Sequence, residues 1–108
     1  MGKRAAGGRP AVLPTESKTM KPKFELGETV ITRNAADQLV SSDVMLALRR
    51  HASGDWGDCC VEDQKENDFS LDHKLRLMSV YHDSNQNKFY VITEHDRSVT
   101  TVLLPDDY

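Results

Sequence analysis

Two stretches, Leu75-Arg-Leu-Met-Ser-Val-Tyr81 and Lys88-Phe-Tyr-Val-Ile-Thr93, decide the fold class of this chain. Their apolar, β-branched and aromatic residues alternate with the period of two that is typical of strands. Asp83-Ser-Asn-Gln-Asn87 between them has the composition of a turn. A third such stretch, Val99-Thr-Thr-Val-Leu-Leu104, follows the tight turn Glu94-His-Asp-Arg97. Consecutive strands joined by short turns predict a three-stranded antiparallel meander.

The residues before the meander predict a short strand and helices. Gly27-Glu-Thr-Val-Ile-Thr32 is short and β-branched, so we expect a strand there. Thr32 or Asn34 can cap a following short helix, and Ser41-Ser-Asp43 can cap a second one. Residues 61–69 predict a third, acidic helix. The predicted class is therefore α+β, with a short N-terminal strand and helices followed by the meander.

Charge is distributed unevenly along the 108 residues, whose net charge is −3. Residues 1–23 carry six basic side chains and one acidic one, whereas residues 24–108 carry eight basic and sixteen acidic ones. The first segment is rich in Gly, Pro, Lys and Arg, a composition that cannot build a core. We therefore expect a disordered basic tail over 1–23 and a single small domain over 24–108. This length excludes a multidomain enzyme, and no apolar run reaches the roughly 18 residues of a membrane span.

The basic tail allows three interpretations. It could contact nucleic-acid phosphates. The charge distribution allows direct contact with nucleic acid only through this tail. It could fold back on the acidic domain. The third interpretation is a solvated arm, or a stretch upstream of a true start at Met20. The oligomeric state stays open at this stage.

The two cysteines, Cys59 and Cys60, are adjacent and cannot form a disulfide framework. We expect free thiols and a reducing, cytoplasmic compartment. Zinc sites usually space their cysteines by two to four residues and add further ligands. We therefore predict no metal and no cofactor.

The most informative segment is His51-Ala-Ser-Gly-Asp-Trp-Gly-Asp58. Val44, Leu48 and His51 follow helical spacing, which places His51 on an apolar helix face near the helix end. As a functional residue, His51 would be a general acid or base, because its unperturbed pKa lies near neutrality. As a structural residue, it would close the helix C-terminus while Trp56 packs in the core, and we favour this interpretation.

Acidic residues dominate the following segment, where residues 55–72 hold seven of them against Lys65 alone. The segment does not have the ligand alternation of an EF-hand loop, and a solvated helix face is the commonest meaning of such a run. Alternatively, it could bind a protein with a basic surface, for example one that itself handles nucleic acid. The predicted binding residues are Asp55, Trp56, Asp58, Glu62, Asp63 and Glu66.

Short blocks of this chain occur in the same order in a family of small bacterial proteins. They are Arg50-His51, Gly54-Asp-Trp-Gly-Asp58, Asn67, Arg76-Leu-Met-Ser-Val-Tyr81, Ile92-Thr-Glu94, Asp96-Arg-Ser98, Thr100-Thr101 and Leu103-Leu-Pro-Asp-Asp-Tyr108. Over about residues 27–108 the chain resembles the family labelled plasmid-related protein, carried by plasmids and other mobile elements. The resemblance implies a bacterial, cytoplasmic accessory protein and implies no activity.

A looser likeness is to the barnase–EndoU–colicin–RelE ribonucleases, in which a helix bearing a histidine precedes an antiparallel sheet. It implies His51 as acid or base, Arg97 or Arg76 as phosphate ligand, and Thr100 or Thr101 as transition-state donor. The chain departs from that group in having three predicted strands after its helices instead of four or more. Its acidic domain also departs from the positive charge that RNA binding requires. Our leading hypothesis is therefore a non-enzymatic protein that binds its partner through the acidic segment, with a metal-independent ribonuclease as the alternative.

Overall fold

A computed structural model describes residues 21–108, which form three helices and one sheet. In chain order the elements are β1 (Glu28–Ile31), α1 (Arg33–Gln38), α2 (Ser41–Ala52), α3 (Val61–His73), β2 (Leu77–His82), β3 (Lys88–Thr93), β4 (Val99–Leu103) and a 3₁₀ turn (Pro105–Asp107). The predicted α+β class is confirmed. Residues 1–20 of the predicted tail lie outside the described residues, while the amide of Lys23 donates to the carbonyl of Ala52 at 2.7 Å. None of the described helices has the length and apolar character needed to cross a bilayer.

The sheet holds one strand more than the predicted meander. β2, β3 and β4 pair antiparallel as predicted, but β1 joins them by pairing parallel with β4, with Glu28 opposite Val99 and Ile31 opposite Val102. The strand order is β1-β4-β3-β2. The three-stranded antiparallel sheet is therefore corrected to a four-stranded mixed sheet. Local periodicity cannot reveal this pairing, because it joins the two ends of the domain.

The first two helices begin in different ways. Thr32 caps α1 as predicted, since its hydroxyl accepts a hydrogen bond from the first helical turn and donates to Asp107 at 2.6 Å. In contrast, the N-cap of α2 is Val40, so Ser41-Ser-Asp43 forms the first turn instead of capping it. The amide of Val40 donates to the carboxylate of Asp83 at 3.1 Å, a partner that is distant in sequence.

Asp83 is buried and joins the β2–β3 turn to the α1–α2 junction. Besides the Val40 amide, its carboxylate accepts the backbone amide of Asn87 at 2.8 Å. Asp43 at the start of α2 accepts both the backbone amide and the hydroxyl of Ser84 in the same turn. The turn is thus stabilised by the carboxylate of its own first residue, Asp83, and by that of Asp43 on α2.

The core lies between α1, α2 and one face of the sheet. It is formed by Ala35, Leu39, Val44, Ala47, Tyr81, Phe89, Val91, Val102 and Leu104. On the opposite face of the sheet, Met78, Val80 and Tyr90 are only half-buried. α3 lies beside β2, at the end of the sheet farthest from β1.

The outer edge of β2 is closed by side-chain and loop groups. Asn67 on α3 donates to the carbonyl of Met78 at 2.8 Å and accepts its amide at 3.1 Å. The amide of Val80 donates to the Trp56 carbonyl at 3.2 Å, and the Val80 carbonyl accepts the Asp58 amide at 2.7 Å. These contacts pair backbone groups that an edge strand would otherwise expose.

Gly57 allows this loop to approach β2, and its replacement gives a first test. Its φ is +77°, and a Cβ there would lie 2.1 Å from the carbonyl oxygen of Val80. We expect Gly57→Ala to lower the free energy of unfolding by about 2–4 kcal/mol, since strain and steric clash add. Gly54→Ala is the control, because φ is +86° there but the nearest atoms belong to the flexible side chain of Lys23 at 3.2 Å. Urea denaturation should show a clearly smaller loss for the control, and equal losses would contradict this account.

Candidate functional site

His51 is fully buried and begins a chain of hydrogen bonds through the sheet. Its Nδ1 lies 2.6 Å from the hydroxyl of Ser79, and its Nε2 lies 2.9 Å from that of Thr93. The Thr93 hydroxyl lies 2.7 Å from that of Thr100, which donates to the carbonyl of Leu26 at 2.7 Å. This series of hydrogen bonds therefore connects α2 to β2, β3 and β4, and to the segment that precedes β1.

The carbonyl at the end of this chain determines where its protons lie. The carbonyl of Leu26 can only accept, so Thr100 uses its single proton there and must accept from Thr93. Thr93 in turn accepts from Nε2–H of His51. Nδ1 is then unprotonated and accepts the hydroxyl proton of Ser79. The arrangement fits a neutral imidazole with its proton on Nε2.

Two aromatic rings pack against the His51 imidazole. Phe24 and Trp56 contact it edge to face, with ring centroids 5.3 and 5.7 Å from that of His51. The guanidinium of Arg97 lies 5.5 Å from the centre of the Phe24 ring. Burial, and secondarily the positive charge of Arg97, lowers the pKa of His51 to about 3.

Two of the residues in the ribonuclease hypothesis, His51 and Thr100, belong to this buried chain. The 2.6 Å contact between His51 and Ser79 has the length expected for a base beside a nucleophile. However, both side chains are fully buried. In this conformation they can orient one another and fix the sheet, but a substrate has no route to them.

The other two residues of that hypothesis, Arg97 and Thr101, do not belong to this series of hydrogen bonds, although the Arg97 guanidinium lies near the Phe24 ring that contacts His51. The Arg97 guanidinium donates to the backbone carbonyls of Leu75 at 2.6 Å, Glu94 at 3.1 Å and Ser70 at 3.2 Å. It thereby attaches the end of α3 to the β3–β4 turn. Strand alternation places Thr101 on the sheet face opposite Thr100. The four residues therefore do not converge on one accessible cleft.

The predicted acidic binding residues divide into two groups. In the loop, Trp56 is only 4% exposed and donates to the carboxylate of Asp68 at 2.9 Å. Asp55 pairs with Arg50 at 2.7 Å, and this hydrogen bond lowers the pKa of the Asp55 carboxyl. Asp58 contacts His82 at 2.7 Å. These loop residues interact mainly within the domain.

The second group, on α3, points outward. Glu62, Asp63 and Glu66 are exposed and form no ion pair with any residue from 21 to 108. Asp63 and Glu66 line a groove of about 390 Å³ between α3 and β2. The floor of the groove includes Met78 and Val80 from the half-buried sheet face.

α3 has an unusual distribution of polar and apolar residues. Its buried residues are polar, Asn67 and Ser70. Two of its three large apolar residues are exposed, Val61 by 66% and Phe69 by 53%, as is Leu75 just beyond the helix by 46%, whereas Leu71 is half-buried. Phe69 and Leu75 lie at the same groove as Asp63 and Glu66. This surface therefore combines negative charge with exposed apolar side chains.

Sequence reasoning missed Ser79, Thr93 and Asn67. Strand alternation does place Ser79 and Thr93 on the face that carries Leu77 and Val91. A hydroxyl among inward-facing apolar residues indicates that it hydrogen-bonds to another buried polar group. For Asn67 a helical position alone gives no indication that its amide pairs with a strand edge.

Comparison of the chain with protein-family models, curated proteins and solved structures finds no match. Within residues 21–108, no group of three or more His, Cys, Asp or Glu side chains is arranged to hold a metal ion. Cys59 and Cys60 are free thiols. The function of the protein is therefore inferred from the contacts, burial and charge of residues 21–108.

Burial of His51 predicts a specific pH dependence of stability. The folded state keeps the imidazole neutral down to about pH 3, whereas the unfolded chain takes up a proton near pH 6.5. Because the unfolded state binds more protons in this range, the free energy of unfolding should fall from pH 6.5 toward pH 3. The slope contributed by His51 approaches about 1.4 kcal/mol per pH unit between about pH 4 and about pH 5.5, and it decreases again near pH 3, where the folded imidazole also becomes protonated.

Urea denaturation of wild type and His51→Gln at several pH values measures this contribution as a difference. The variant should be less stable at pH 7, and its stability should fall less steeply on acidification. His73→Gln, at an exposed histidine on α3, is the matched control and should retain the wild-type slope. Parallel curves for wild type and His51→Gln would show that His51 does not carry the effect.

Proposed function

We propose that this protein is a bacterial, cytoplasmic accessory protein of a mobile element and that it binds a protein partner through the α3 surface. The observation that carries the proposal is the composition of that surface. α3 holds five acidic residues and one lysine, and it exposes Val61 and Phe69 while burying polar residues. Exposed apolar side chains next to unpaired charges are typical of interaction sites.

The groove between α3 and β2 indicates the chemistry of the partner. Asp63 and Glu66 would meet lysine or arginine side chains, while Phe69, Leu75 and Met78 offer apolar contacts. A basic segment with one apolar face satisfies both requirements. Proteins that handle nucleic acid commonly carry such basic segments, which makes them the favoured class of partner.

Electrostatics would act at two ranges in this interaction. The net charge of residues 24–108 is −8, so a basic partner is attracted before contact. At contact, the charges on α3 would orient the partner while the apolar residues supply most of the affinity. Added salt should therefore weaken binding, because it screens the charges. The apolar contacts should preserve part of the affinity at high salt.

Charge reversal on α3 tests the proposal. We expect Asp63→Lys with Glu66→Lys to weaken capture of the partner from bacterial lysate at least about tenfold, since two attractive contacts become repulsive. Immobilised full-length protein serves as bait, and retained proteins are quantified by mass spectrometry. Capture should also decrease from about 0.1 M to about 1 M salt, as the screening length falls from about 10 to about 3 Å.

A variant with the same net charge change is the matched control. Asp37→Lys with Asp106→Lys alters exposed carboxylates on α1 and on the 3₁₀ turn, away from α3. It should capture the same protein as wild type. If the α3 variant captures it equally well, or if both variants lose it to the same extent, α3 is not the binding surface.

The ribonuclease hypothesis makes the opposite prediction and can be tested directly. Because His51 and Thr100 are buried, we expect RNA to stay intact when incubated with the protein in the presence of a chelator. Gel analysis with His51→Ala and Arg97→Ala alongside is the measurement. Cleavage by wild type that is lost in both folded variants would replace the binding proposal with an enzymatic one.

A further inference from the structure

Within residues 21–108, β1 is an edge strand whose outer side is open, in contrast to the closed edge of β2. It pairs only with β4 among the strands of residues 21–108, and all four of its residues are exposed. Val30 is 39% and Ile31 is 42% exposed. An open edge with apolar side chains is a template for pairing with another strand.

Hydrogen bonding along β1 shows which backbone groups are available. The amides of Glu28 and Thr32 donate to carbonyls of Ser98 and Val102, so these residues point their backbone groups toward β4. Because direction alternates along a strand, the amides and carbonyls of Thr29 and Ile31 point outward. An incoming strand would therefore bond to Thr29 and Ile31.

We propose that β1 pairs antiparallel with β1 of a second copy of this chain, which makes a continuous eight-stranded sheet. A hydrogen-bonded antiparallel pair must join outward-pointing residues on both strands. Thr29 of one copy opposite Ile31 of the other meets this requirement, with Val30 of both copies meeting at the twofold axis. This register forms four backbone hydrogen bonds.

A groove beside β1 accommodates the side chains that this pairing brings in. It has a volume of about 780 Å³ and is lined by Leu26, Thr29, Met45 and Leu48, among others. Side chains that are directly opposite in an antiparallel pair lie on the same sheet face. Ile31 of the second copy would therefore lie beside Thr29, at the groove, where it contacts Met45, which is 64% exposed in the single chain.

Charge at the ends of the paired strands favours a second copy over an unrelated strand. In the proposed register Glu28 lies opposite Thr32 of the second copy, within one residue of its Arg33. Twofold symmetry brings these opposite charges near each other twice. The same symmetry covers both open edges and both sets of exposed apolar side chains in one interface.

The test is the mass of the full chain in solution as a function of concentration. Sedimentation equilibrium should show a reversible dimer, and Ile31→Lys should weaken it at least about 100-fold, because each interface loses two apolar contacts. Met45→Lys changes the groove without touching the strand and should also weaken the dimer. Val61→Lys, which introduces the same charge at an exposed position on α3, should leave it unchanged.

Hydrogen exchange supplies a second readout that does not depend on variants. The Thr29 and Ile31 amides should become protected as concentration increases, whereas the Val30 amide, directed toward β4, should be protected throughout. A monomer at all concentrations up to about 1 mM would overturn the proposal. A dimer that persists in both Ile31→Lys and Met45→Lys would also overturn it. A dimer that forms only after residues 1–20 are removed would overturn it as well, because that segment would then be the occupant of the groove.

Discussion

The buried imidazole of His51 is the constraint on which the rest of the domain depends. A neutral side chain with one donor and one acceptor joins a helix to two strands at once, and the threonine hydroxyls extend the connection to β4 and Leu26. Each hydroxyl has one proton, so the direction of every bond in the chain follows from the terminal carbonyl. In a small domain with few large aromatic residues, this network provides specificity that the modest apolar core does not.

α3 is attached to the domain largely through polar residues, since its buried residues are Asn67 and Ser70, while Leu71 is only half-buried. Asn67 pairs with the backbone of Met78, Trp56 donates to Asp68, and the guanidinium of Arg97 holds the carbonyls near the helix end. Attachment of this kind leaves Val61 and Phe69 exposed. Acidic and apolar side chains are therefore exposed together on the outer side of α3.

The two edge strands of the sheet differ in whether their outward backbone groups are paired. The edge at β2 is closed by a loop and an asparagine, and the adjoining sheet face forms the floor of the acidic groove. The edge at β1 lies beside an apolar groove, and no strand from the described part of the chain pairs with its outward backbone groups. The proposed partner site and the proposed self-association site thus lie at opposite ends of the sheet, so that one copy could use both at once.

The sequence by itself determined the features that depend on neighbouring residues: a helix cap at Thr32 or Asn34, the three alternating strands, and His51 on the apolar side of α2. These features depend on interactions between residues that are close in sequence, so the folded domain keeps the local structure that the sequence favours. Only the tertiary structure decided the parallel pairing of β1 with β4, the hydroxyl partners of His51, and the contact of Asn67 with a strand edge. These depend on which distant segments meet when apolar surface is buried, and no local period encodes that choice.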